Sequence, residues 1–135
     1  MRQRPILTVD DAKRMLAAAE AIAIEKQIPV CIAVSDEAGE PLALIRLEGV
    51  RSQTAELAIR KARCAATSHR ATSFWAERIR ENPSFASFPD MCALAGGIPI
   101  LHEGVCLGAI GVSGARGKGE DDLVAEAGIA ALSLK

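Results

Sequence analysis

Two basic residues are of the types that can grip a small anionic substrate. Arg46 closes an otherwise apolar run, Leu42-Ala43-Leu44-Ile45, and Lys61 follows on the next helical stretch. An arginine fork binds a carboxylate through two parallel hydrogen bonds, and a lysine adds a compact point charge. Gly96 and Gly97 can bring bare backbone N–H groups beside such a pair, and Ser113 supplies a hydroxyl at the end of the same glycine-rich block. Arg46, Lys61, Gly96, Gly97 and Ser113 are therefore candidate ligand-binding residues. The alternatives stay open: Arg46 on the solvent face paired with Glu48, and Lys61 as a solvated helix residue.

Two other patterns carry less chemistry. Gly114-Ala115-Arg116-Gly117-Lys118-Gly119 has the look of a phosphate cradle but lacks the Gly-Lys-Ser/Thr ending of a P-loop. Glu120, Asp121 and Asp122 follow it, and three carboxylates there satisfy the positive helix end and repel a phosphate. The segment reads as a turn and cap. Ser35 and Ser113 as nucleophiles would need a Gly-x-Ser-x-Gly elbow, and neither has one.

The elements that must position these residues follow from spacing. Thr8 caps a first helix, with Asp10 and Asp11 in its first turn and an apolar stripe of Val9, Ala12, Met15, Leu16, Ala19, Ile22 and Ala23. Val30–Val34 and Leu42–Leu47 form a hairpin across the turn Asp36-Glu37-Ala38-Gly39. Ser52 caps a second helix whose Ala55, Ala58, Ile59, Ala62, Ala65, Ala66 and His69 line one side, and Thr72 caps a third, stopped at Asn82-Pro83. Residues 83–95 read as an irregular loop. Ile98–Leu101 and Val105–Val112 form a second hairpin about His102-Glu103-Gly104, and a last helix runs from near Glu120 to Leu134. The order α-β-β-α-α-β-β-α predicts an α/β chain of the α+β kind: an antiparallel sheet flanked by helices, one domain over 1–135.

Composition narrows the classes. Of 135 residues, half are hydrophobic, and the net charge of -1 with only three Phe, one Trp and no Tyr argues against nucleic-acid binding. No run reaches the ~20 apolar residues of a membrane span, and the N-terminus lacks the ~7–15-residue apolar core of a signal peptide. Cys31, Cys64, Cys92 and Cys106 have no metal or redox spacing and read as buried, reduced thiols. A cytoplasmic setting, with no nucleic-acid or membrane partner, is expected.

The glycine-rich block raises a sharper question. Six of the eleven glycines lie between Gly96 and Gly114, and glycine inside a strand marks a bulge or a close approach of backbone to another group. The block Gly96-Gly97-Ile98-Pro99-Ile100, Gly104 and Gly108-Ala109-Ile110-Gly111-Val112-Ser113-Gly114 resembles the most distinctive segment of the GlcG/HbpS family, related to the C-terminal domain of PduO-type proteins. Val34-Ser35-Asp36-Glu37-Ala38-Gly39, Arg46-Leu47-Glu48-Gly49-Val50, the helix positions Ser52, Ala58, Lys61 and Ala62, and Asp121, Val124 and Ala125 extend the resemblance over residues 8–134. It implies a profilin-like domain, a homo-oligomer from dimer to octamer, and a small-molecule ligand, with haem as the family's best-known one. Haem iron takes an axial His, Cys, Met or Tyr, which makes His69 and His102 the candidate metal ligands if haem binds and adds His69 to the ligand-binding candidates. Three readings stand: a small-ligand or haem-binding protein, an isomerase- or lyase-type enzyme acting on an organic acid through Arg46 and Lys61, and an oligomeric accessory module whose glycines serve subunit packing.

Overall fold

The computed structural model describes residues 1–134. Its elements run α1 (Val9–Glu25), β1 (Cys31–Ser35), β2 (Pro41–Arg46), α2 (Gln53–Ser68), α3 (Thr72–Glu81), a 3-10 turn (Pro83–Ser87), β3 (Gly97–His102), β4 (Val105–Ser113) and α4 (Glu120–Ala130). The strands form one antiparallel sheet in the order β2-β1-β4-β3, so two hairpins join through the central β1–β4 pair. This is the α+β architecture expected from the sequence.

Each face of the sheet is covered differently. Ile32, Val34, Ile110 and Val112 point to α1 and α4, where Met15, Ala19, Val124 and Ala125 complete the main core. The opposite face carries Cys31, Ala33 and Ala109 against Ala58, Ala62, Ala65 and Ala66 of α2. Alanines and glycines predominate there because the helix lies very close to the strands. A Cβ on Gly111 would collide with the Ala58 carbonyl oxygen, and one on Gly97 with the Lys61 carbonyl oxygen. Gly108, at φ +152 where the β3–β4 register shifts, approaches the Ser35 carbonyl oxygen. Gly108 and Gly111, which the accessory-module reading assigns to subunit packing, are thus approached by backbone of their own chain.

Local signals hold at some ends and not others. Thr8 and Asp11 form a complete capping box at α1. Ser52 has helical φ/ψ and makes no side-chain capping bond. Thr72 does not cap α3 from outside; it is the first helical residue, and its buried hydroxyl accepts the Gly97 N–H at 2.9 Å. His69 leaves the apolar side of α2 for the left-handed C-cap position, φ 60. α4 ends at Ala130, short of Leu134. All four cysteines are free and buried, and burial pushes each thiol upward from its ordinary value.

Candidate functional site

Where β4 ends, the chain turns at Gly114 (φ +116) and runs through a glycine-rich loop to Gly119 (φ +81), which opens α4. This loop, the first half of α2 and the segments after Pro29, Gly49 and Leu94 enclose a cleft of about 780 Å³. Pro29, Val50, Leu57 and Leu94 give it apolar walls. Arg51, Lys61, Arg116 and Lys118 bring positive charge to it, and Asp121 and Asp122 bring negative charge.

Lys61 is the buried member of this set. Its side chain is only 4% exposed, and its Nζ donates to the Val112 carbonyl at 2.9 Å and to Asp121 Oδ2 at 3.2 Å. Asp121 Oδ1 accepts the Ala115 N–H at 3.0 Å, so one carboxylate fixes both the lysine and the turn after β4. An ammonium has three donors; two are used, and among the described residues the third has no partner. A buried charge is tolerated only when paired and hydrogen-bonded, and both conditions are met here. The close approach of α2 to β4 over Gly111 is what carries the long side chain to the strand end.

Gly96 makes room for that arrangement. It lies at φ +127, and a Cβ there would collide with the Val112 carbonyl oxygen and stand 3.0 Å from Lys61 Nζ. Next to the ion pair, Asp122 lines the cleft with Oδ1 buried and unpartnered among the described residues. Burial pushes its carboxyl above the ordinary value; the Gly96 backbone opposes this, Glu126 and Asp121 add to it, and Lys61 opposes it.

The structure brings together part of the set expected from sequence. Lys61 and Ser113 line the cleft, and Gly96 shapes it. Gly97 sits behind it, buried between α2 and α3. Arg46 is exposed on the edge strand β2 opposite Cys31, outside the cleft, and makes no ion pair with Glu48 or any other described residue. Neither histidine reaches the cleft: His69 is exposed beyond α2, and His102 ends β3 with a buried, unpartnered Nδ1. Sequence reasoning does not single out Arg51, Arg116, Lys118, Asp121 and Asp122 as site residues. The helical spacing of Thr54, Ala58 and Lys61, which puts the lysine on the buried side of α2, is a signal for Lys61 alone.

A family model described as haem degrading protein HbpS-like matches residues 7–130. The chain belongs to the HbpS-like family. The chain is 34% identical over 114 residues to protein GlcG of Escherichia coli K12, covering 84% of this chain and 85% of that protein. A doubly substituted HbpS of Streptomyces reticuli superposes with a TM-score of 0.90 at 33% identity, over 98% of this chain and 90% of that one. The crystal structure titled PduOC:Heme complex superposes at 0.86 with 23% identity, over 97% and 98% of the two chains, a likeness of fold. No helix among the described residues of this HbpS-like chain is long and apolar enough to cross a membrane.

Proposed function

We propose that this HbpS-like protein binds a small organic anion in the cleft, with Lys61 as the fixed cation. The observation that carries the reading is the buried Lys61 ammonium, held by Val112 and Asp121 with one donor to spare at a cleft wall. Arg51 and Arg116 add forked donors suited to a carboxylate, and burial strengthens the attraction relative to water. Calorimetric titration with pyruvate, succinate and citrate tests this. At least one binds, and Lys61→Met or Arg116→Ala weakens it by about tenfold or more, roughly 1.4 kcal/mol. Unchanged affinity in both folded variants overturns the assignment.

Haem is the second reading, favoured by the family description and by the fold shared with the PduOC:Heme complex. The cleft's cations suit two propionates, yet among the described residues no His, Cys, Met or Tyr lines it. The cleft residues therefore do not fit axial ligation of iron, and the two histidines that could supply it lie elsewhere. A hemin titration whose Soret shift disappears in His69→Ala or His102→Ala supports haem at a separate site; an unshifted spectrum rejects it. The free, buried cysteines support a reducing, cytoplasmic setting. The unpaired edges of β2 and β3 support a homo-oligomer, seen by light scattering as a multiple of 14.2 kDa; a single 14.2 kDa species contradicts it.

A further inference from the structure

The first turn of α4 presents two consecutive carboxyl groups to the same cleft in unlike states. Asp121 has both oxygens engaged, Oδ1 by the Ala115 N–H and Oδ2 by Lys61. Asp122 has a buried Oδ1 with no partner among the described residues. The groups facing it are Asp121 and Glu126 from α4, Lys61 from α2 and the backbone of Gly96 before β3, while Arg116 and Lys118 reach the cleft from the loop. Lys61 is committed to Asp121, so Asp122 has no cation of its own among the buried groups described.

A buried carboxylate oxygen without a donor costs free energy. A carboxylic acid in the same place carries an O–H and becomes a donor. A ligand carboxylate drawn in by Lys61 adds a further negative charge beside Asp121 and Asp122, and neighbouring carboxylates favour sharing a proton. We propose that Asp122 engages the ligand as a neutral acid, its carboxyl O–H donating to an oxygen of the ligand's carboxylate, so that each ligand is captured together with one proton. The proton comes from solvent and returns to it on release, and no covalent bond of the ligand changes. The cleft then selects ligands whose carboxylate can accept a hydrogen bond, and holds them more tightly in acid than in alkali. This rests on the anion-binding reading of the cleft.

Succinate titrations of the folded protein, run in imidazole and in Tris across a pH series, count the protons taken up from the difference in buffer ionisation heats. The wild type takes up close to one proton per succinate, and its affinity falls by about tenfold per pH unit over the alkaline part of the series. Asp122→Asn keeps the shape and a donor N–H; it binds succinate with almost no proton uptake and a flat pH response. Wild-type binding without proton uptake, or the same uptake in Asp122→Asn, overturns the role of Asp122 and leaves the anion site standing. Absence of binding by pyruvate, succinate and citrate alike overturns both.

Discussion

In the proposed anion site the fixed cation is Lys61, a buried ammonium that is already paired and hydrogen-bonded. Val112 and Asp121 hold the ammonium in one place, and Gly96 keeps the space beside it open. Gly96→Ala introduces a Cβ at φ +127 against the Val112 carbonyl oxygen. We expect a loss of about 1–3 kcal/mol in denaturant unfolding, together with weaker anion binding; unchanged stability and affinity would show that Gly96 does not shape the site. Asp122 gives a second residue-scale prediction. Its folded carboxyl titrates above the 3.8 of the unfolded chain, so the folded state binds more protons in that window. Stability therefore falls as pH rises from 3.8 through the folded value, and the penalty is complete above it. In the ligand-free protein Asp122→Asn raises the melting temperature at neutral pH, and the gain shrinks in acid. A gain that grows in acid contradicts the assignment.

Of the residues the sequence offers as ligand-binding candidates, Lys61 and Ser113 line the cleft and Gly96 lies next to Lys61. Arg46 draws attention because it ends an apolar run, but that run is an edge strand with a solvated side, where an arginine is ordinary. The acidic pair is hidden by its own helix start. Asp121 and Asp122 suit a helix dipole wherever they occur, and only the distance across to Lys61 shows that one has a second task.

At the scale of elements, α2 and β4 determine the geometry. Their approach depends on Gly111, whose missing side chain leaves room for the Ala58 carbonyl oxygen. Gly111→Val forces helix and strand apart, pulls Lys61 away from Val112 and Asp121, and should cost about 3 kcal/mol or more. A variant as stable as the parent would show that the pair can separate freely. The helix starts supply a contrast. Thr8→Ala breaks a formed capping box and should cost about 1 kcal/mol, whereas Ser52→Ala removes no capping bond and should stay within about 0.5 kcal/mol. Equal losses from the two would contradict this description. Element types and order are legible because apolar spacing is local, but cap geometry is not: Thr72 is claimed by Gly97 across the fold, and Ser52 already lies in a helical turn in which the Arg51 and Ser52 carbonyls accept backbone bonds.

Across the whole molecule, the glycine-rich block has two duties. Gly97, Gly108 and Gly111 lie against backbone of the same chain, which explains their number. Gly114 lines the cleft, and Gly96 lies beside it against the Val112 carbonyl oxygen, where a side chain would crowd Lys61 Nζ. Sequence shows that something comes close to this backbone; identifying α2 as the partner of Gly97 and Gly111, and β1 as that of Gly108, requires the fold. The aromatic cluster of Phe74, Trp75, Phe85 and Phe88 packs separately around α3, and the cleft wall is aliphatic. Amide chemical shifts of the nitrogen-labelled protein, followed during succinate addition, test the central claim most directly. The account predicts saturable shifts concentrated at Lys61, Gly96 and residues 113–122. Shifts confined to Arg46, His69, His102 or the aromatic cluster, with the cleft unmoved, would contradict it.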